Sequence, residues 1–206
     1  MGIGRIDLKN KDLGICLVNG IILKYQEDKM KKVLIVVDMQ NDFIDGPLGT
    51  KEARALVSKV VDRIKKFKGI VVYTQDTHQA NYLSTQEGKH LPVAHCLQGT
   101  EGWKLHKDIE AERLASKGKV FEKGTFGCLS LGQALQAQNN KEPIESIELI
   151  GLCTDICVMN NALLIKAFLP EVPIIVDASA VAGITPQSHQ NALSAMKMCQ
   201  INIINE

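Results

Sequence analysis

Val33-Leu34-Ile35-Val36-Val37, running into Asp38-Met39-Gln40-Asn41-Asp42-Phe43, is the stretch whose reading decides the fold. Five aliphatic residues without polar alternation form the pattern of a strand buried on both faces, as in a parallel sheet covered by helices. The switch to polar residues at Asp38 marks the strand's carboxyl end. Downstream, residues 51–67 place Ala53, Leu56, Val57, Val60, Val61 and Ile64 at helical spacing, with Lys and Arg between them, before Gly69 stops the helix. Ile70–Thr74 then reads as a strand, followed by a helix around 103–116, a strand at Lys119–Phe121 and a helix near 130–138. Ile147–Leu152 is the next strand, then a helix from about Asp155 to Phe168, a strand at Val172–Val176, a helix near 186–198 and a strand at Ile201–Ile204. Strands alternating with helices predict an α/β fold: a three-layer α/β/α, doubly wound, mostly parallel six-stranded sheet. Functional groups in such sheets gather at the carboxyl ends of the strands. Asp38, Asp76, Lys123 and the Cys153–Cys157 loop each follow a strand. The stretch 77–102 lacks clear periodicity but holds three histidines, which marks it as a functional loop.

Residues 1–29 stand outside this rhythm. They contain one hairpin pattern, Ile15–Val18 and Ile21–Tyr25 joined by Asn19-Gly20. They read either as an extension that adds this hairpin to a sheet edge or as sequence upstream of a start at Met30, leaving 30–206 as the principal domain.

The composition narrows the partners. Lys plus Arg is 24 and Asp plus Glu is 23, aromatics are 4% of residues, and no basic run is present. That balance argues against nucleic acid as a partner. The longest apolar run is strand-sized, so no membrane span is expected. The six cysteines, Cys16, Cys96, Cys128, Cys153, Cys157 and Cys199, show neither a zinc cluster nor a C-x-x-C pair. In a chain of this length they read as free thiols, which points to a cytoplasmic protein.

Cys157 lies just inside the start of a helix that follows a strand, with Thr154 or Asp155 as candidate N-cap. A helix N-terminus favours thiolate over thiol. Position alone leaves a buried structural cysteine an equal alternative.

Five blocks taken together carry a resemblance. They are Val36–Phe43, Thr74-Gln75-Asp76-Thr77-His78, Leu91–Gly102, Glu122-Lys123-Gly124-Thr125 and Gly151-Leu152-Cys153-Thr154-Asp155-Ile156-Cys157-Val158. In that order they resemble the motifs of nicotinamidases and related cysteine hydrolases of the isochorismatase-like superfamily. The resemblance implies an isochorismatase-like hydrolase fold with Cys157 as nucleophile, Asp38 as general base and Lys123 as the cation between them. It further implies an oxyanion hole from the backbone N–H groups of Cys153 and Cys157, with a cis bond between Leu152 and Cys153. Asp76, His78 and His95 match the metal ligands, with Glu87 as an additional ligand or water contact, while His90 and His106 read as solvated. One carboxylate and two imidazoles suit zinc, with iron or manganese as alternatives.

The implied reaction is hydrolysis of a small-molecule carboxamide, nicotinamide first, by a homo-oligomer. Phe43 and Leu91 are the expected substrate contacts. Two departures bear on the substrate: Thr77 stands where the family commonly has tryptophan, and Leu91 where it often has an aromatic residue. A metal-independent amidohydrolase of the N-carbamoylsarcosine or ureidoacrylate type is the alternative enzyme, against which Asp76, His78 and His95 count. A non-catalytic doubly wound ligand-binding module is the other alternative, but no Gly-rich phosphate loop follows the first strand. Cys157 argues against vinyl-ether hydrolysis, because true isochorismatases lack the cysteine.

Overall fold

Every residue of Val33–Val37 is buried, and successive side chains enter two different cores. Val33, Ile35 and Val37 meet Leu131, Leu135, Ala162, Ile165, Leu193 and Met196 on one face. Leu34 and Val36 meet Ala53, Leu56, Val60, Ile64 and Ile109 on the other. Both faces of the strand are dry, which is why its sequence shows no alternation.

The computed structural model describes residues 13–18, 21–26 and 31–206. By its contacts the chain divides into Met1–Met30 and Lys31–Glu206. In the first unit, β1 (Leu13–Val18) and β2 (Ile21–Gln26) pair antiparallel, with Val18 opposite Ile21. The turn residues Asn19-Gly20 lie outside the described residues.

The second unit is built on a six-stranded sheet of β3 (Lys31–Val37), β4 (Ile70–Asp76), β5 (Lys119–Lys123), β6 (Ile144–Leu152), β7 (Ile174–Ala182) and β8 (Asn202–Ile204). Its order is β5-β4-β3-β6-β7-β8, and every pairing is parallel. The helices are α1 (Asn41–Ile44), α2 (Lys51–Lys66), α3 (Gln86–His90), α4 (Lys107–Ser116), α5 (Leu129–Lys141), α6 (Met159–Phe168) and α7 (Pro186–Met198). Helices α2 and α4 cover one face, while α5, α6 and α7 cover the other. Among the described residues, no helix is long and apolar enough to cross a membrane.

Two elements differ from the sequence expectation. The helix expected over 103–116 begins only at Lys107, because residues 103–106 are engaged elsewhere. The Trp103 carbonyl accepts from the side-chain amides of Gln40 and Gln75, and the His106 N–H donates to the Met39 carbonyl. His106 is therefore not simply solvated, since its Nδ1 accepts the Asp108 N–H and caps α4. Strand β7 also runs well past Val176. Leu149 pairs with Val176 but Gly151 pairs with Val181, so β7 carries three more residues than β6 between those two pairs. Within that bulge, Asp177 accepts from the Ser179 N–H and hydroxyl at 3.0 and 2.7 Å.

Glu148 is a charge in the middle of a buried strand. Arg63 of α2 reaches it with two hydrogen bonds, of 2.6 and 2.5 Å, so the carboxylate stays paired.

Gly151 fixes how closely β3 and β6 approach. Its φ is +111°, and a Cβ there would stand 2.2 Å from the Val37 carbonyl oxygen and 2.8 Å from its nitrogen. Neither atom can yield without breaking the sheet. Gly151→Ala is expected to destabilise the fold by about 3 kcal/mol or more. Chemical denaturation would check this, and an unchanged midpoint would contradict the close approach.

Candidate active site

Strand order reverses between β3 and β6, and the residues singled out from the sequence converge at the carboxyl side of that switch point. Asp38 follows β3, Asp76 ends β4, Lys123 ends β5, and Cys157 lies one turn beyond β6. The β4–β5 register sets Asp76 beside Lys123, and the β3–β6 register sets Val37 beside Gly151.

The Lys123 ammonium is the hub. Its Nζ lies 2.7 Å from Asp38 Oδ2, 3.0 Å from Asp76 Oδ1 and 3.5 Å from Cys157 Sγ. All four residues are buried. Thr74 holds Asp38 from the side. Its hydroxyl donates to Asp38 Oδ1 at 2.6 Å and accepts the Asp38 N–H at 3.2 Å. Asp38 itself has φ +45°, the left-handed turn that swings its carboxylate off the strand end toward Lys123.

Burial pushes the Asp38 carboxyl above its ordinary pKa, although Lys123 opposes this. Burial also works against the Lys123 ammonium, but Asp38, Cys157 and Asp76 outweigh it and hold its pKa well up. The Cys157 thiol is pushed well up, first by burial and then by Asp38. Burial thus opposes the thiolate that a helix-end position favours. Cys157 lies in a π-helical turn, Thr154–Val158, whose N-cap is Cys153. Neither Thr154 nor Asp155 caps it. The Thr154 hydroxyl pairs with His189 Nδ1 at 2.9 Å, and the Asp155 carboxylate accepts the Ile184 N–H. Burial and the neighbouring Asp38 both favour the thiol over the thiolate. The Leu152–Cys153 peptide bond is cis, as the motif implied.

Asp76 turns its second oxygen to the two histidines. Oδ2 lies 2.9 Å from His78 Nε2 and 3.7 Å from His95 Nε2. Glu87 Oε1 approaches the same nitrogens at 3.6 and 3.9 Å. The ligand atoms of Asp76, His78 and His95 all fall within 4.8 Å of one another. His95 Nδ1 lies 2.8 Å from the Val93 carbonyl, which can only accept. Its proton is therefore on Nδ1, and Nε2 presents a lone pair. His78 Nε2 is buried without a hydrogen-bond partner among the described residues. Converging lone pairs and carboxylate oxygens with an unsatisfied buried nitrogen fit a divalent cation.

Backbone pairing brings this set together. His78 exchanges N–H and carbonyl bonds with Cys96 and Gln98, so the loop 79–95 returns to the strand end it left. The Asp42 carboxylate accepts the Cys96 N–H at 2.7 Å. Gln40 clasps Asp76 through both its N–H and its carbonyl. His90 is exposed and bonds the Gln86 carbonyl within its own helix.

A cavity of about 200 Å³ opens beside Cys157. Phe43 and Leu91 line it, as the resemblance implied, and Asp76, Glu87 and His95 reach its polar side. Phe43 also packs at a tilt against His95, with ring centroids 5.5 Å apart. Thr77 faces away from a stacking role, because its hydroxyl accepts the Trp103 indole N–H.

Several contributors were not singled out from the sequence: Thr74, Gln40, Asn161, Phe126, Ile156 and Ile184. Thr74 had a signal, being two residues before Asp76 on one strand and so on the same side. Asn161 had one too, as a buried amide one helical turn after Cys157. Its side chain donates to the Cys157 and Phe126 carbonyls and accepts the Cys128 N–H, joining the segment after Lys123 to the Cys157 turn.

A thiol and a buried carboxylate joined through one lysine, beside a set of metal-type ligands and a small apolar cavity, are the equipment of a cysteine hydrolase. Comparison with known proteins gives the family. The chain belongs to the isochorismatase family, whose Isochorismatase domain model matches residues 32–205. It is 31% identical over 179 residues to an uncharacterized isochorismatase family protein, PncA, of Bacillus subtilis, covering 80% of this chain and 93% of that one. The crystal structure of nicotinamidase PncA from Bacillus subtilis superposes with a TM-score of 0.72 at 29% identity, over 86% of this chain and all of that one. The zinc complex of Pyrococcus horikoshii pyrazinamidase gives 0.69 at 27% identity, over 85% and 99%.

The donor set makes a direct prediction. Purified protein is expected to carry about one divalent ion per chain, and His95→Ala to lose it while remaining folded. Elemental analysis with circular dichroism reads both, and a metal-free native protein would remove the site.

Proposed function

We propose that the protein hydrolyses nicotinamide, or a close heteroaromatic carboxamide, to the acid and ammonia. The observation that carries this is the buried contact of Lys123 with Asp38 and Cys157 at the wall of a cavity whose polar side is Asp76, Glu87 and His95. The relatives named nicotinamidase and pyrazinamidase support the same substrate class.

In this reading Asp38 takes the Cys157 proton as the sulfur adds to the amide carbon. The N–H groups of Cys153 and Cys157 receive the oxyanion. The leaving nitrogen takes the proton back from Asp38, and ammonia departs, leaving a thioester on Cys157. Asp38 then removes a proton from water, which attacks the thioester, and the thiol is restored as the acid leaves. Lys123 balances the negative charge on sulfur and Asp38 throughout. Asp76, His78 and His95 would hold the metal, with Glu87 beside them. When bound, the cation supplies an electrophilic anchor for a ring nitrogen, and zinc suits this donor set best.

Phe43 and Leu91 supply the apolar contacts to the ring. The catalytic unit is 30–206, with 1–29 an extension. Free cysteines, the near-neutral charge balance and the family suit a cytoplasmic homo-oligomer in pyridine nucleotide salvage. The three converging metal residues disfavour the metal-independent alternative.

Cys157→Ala is expected to abolish ammonia release from nicotinamide without loss of fold or metal. Benzamide, which lacks the ring nitrogen, should be a much poorer substrate. Equal rates on the two amides would remove the anchoring argument, and an active Cys157→Ala enzyme would remove the thioester.

Thr74→Val tests the base. Loss of one hydrogen bond to an ionised carboxylate should cost about tenfold in kcat/KM. The hydroxyl favours ionised Asp38, so its removal raises the Asp38 pKa further. The acid limb of the pH profile therefore moves to higher pH in the variant, and a limb that stays put would show that Asp38 does not set it.

A further inference from the structure

The nucleophile turn is tied to the β7–α7 connection by two side chains. Thr154 Oγ1 meets His189 Nδ1 at 2.9 Å, and the two Asp155 carboxylate oxygens lie 3.2 and 3.3 Å from the Ile184 nitrogen. Ile184 is clamped on its other side as well. Thr185 is the N-cap of α7, where its hydroxyl accepts the Ser188 N–H and Ser188 Oγ accepts the Thr185 N–H. Gly183, just before, leaves no room for a side chain, since a Cβ would stand 2.9 Å from that of His189. A branched side chain is thus held on a backbone fixed at both ends.

Ile184 is 54% exposed, so core burial does not explain it. It lines the 200 Å³ cavity at Cys157 and also an outer basin of about 710 Å³. The two spaces share Glu87, Leu91, Phe126, Ile156 and Ile184, so this rim is where one opens into the other. A substituent too large for the inner cavity meets this rim if it extends toward the basin.

We propose that Ile184 is a specificity-determining residue that limits the size of the amide reaching Cys157, and that Asp155 is the positioning residue that holds it there. The substrate class rests on the amidase reading above, whereas the size limit at Cys157 does not.

The experiment compares two readouts in wild type, Ile184→Ala, Ile184→Phe, Asp155→Ala and Asp155→Asn. One is kcat/KM for a ring-propylated nicotinamide relative to nicotinamide. The other, independent of amidase activity, is the rate at which N-phenyliodoacetamide alkylates Cys157 relative to iodoacetamide, followed by mass spectrometry. Ile184→Ala should raise both ratios about tenfold, the usual effect of a few methylenes in a pocket, and Ile184→Phe should lower them. Asp155→Ala should move them the same way as Ile184→Ala. Asp155→Asn keeps an oxygen acceptor for the Ile184 N–H and should match wild type. Unchanged labelling ratios in Ile184→Ala overturn the size limit, whatever the amide data. A shift with Ile184→Ala but none with Asp155→Ala overturns the positioning role. If wild type hydrolyses neither amide while the labelling ratio still shifts, the amidase reading fails and the size limit stands.

Discussion

One buried ammonium organises this molecule. Lys123 sits at the end of the edge strand with its side chain almost entirely out of water, and such a charge is tolerated only with partners within contact distance. Its partners come from three other segments: Asp38 after β3, Asp76 at the end of β4 and Cys157 beyond β6. The parallel register that levels the strand ends is therefore also what satisfies the lysine. Removing either carboxylate would leave a buried ammonium short of compensation, so the catalytic geometry and the local stability of the sheet's carboxyl edge rest on the same contacts.

The two carboxylates flanking that ammonium are driven apart in proton affinity. Asp38 is fully enclosed and burial raises its pKa, while for Asp76 burial is outweighed by His78 and Lys123 and its pKa falls. Two acids a few ångströms apart thus differ in proton affinity, which matches the parts the proposed mechanism gives them. Asp76 faces two imidazoles, of which His95 presents an Nε2 lone pair. Asp38, Asp76 and Glu87 also outnumber the single ammonium, an imbalance that a divalent cation offsets.

How much of this was legible in the sequence follows from which forces leave a local trace. Val33–Val37 announced a two-faced strand because burial acts residue by residue. Asp76 and His78 were marked as a shared site by the family motif, and their spacing of two at a strand end places them on one side. The site's supports left weaker traces. Gln40 and Asn161 are ordinary amides until long-range contacts give them buried partners, and Thr74 reads as one more β-branched residue in a strand. The β7 bulge was invisible because Ala178, Ser179 and Ala180 carry neither a turn signal nor a strong strand pattern. Cys157 shows the converse. Its helix-end position is legible locally, but the burial and the neighbouring Asp38 that push its thiol pKa up are not written in adjacent residues.

In the proposed mechanism, that burial is compatible with a reactive thiol. A neutral thiol is cheap to bury, whereas a thiolate is not. Negative charge need appear on sulfur and on the substrate oxygen only during reaction, when Lys123 Nζ is already 3.5 Å from the sulfur and needs no solvent to reorganise around it. The positive field is built before the charge it stabilises. The close approach of β3 and β6 at Gly151 keeps the Asp38 and Cys157 segments near enough for one lysine to serve both. In that mechanism the reactivity of the cysteine lies less in its own resting state than in the spacing of two strands.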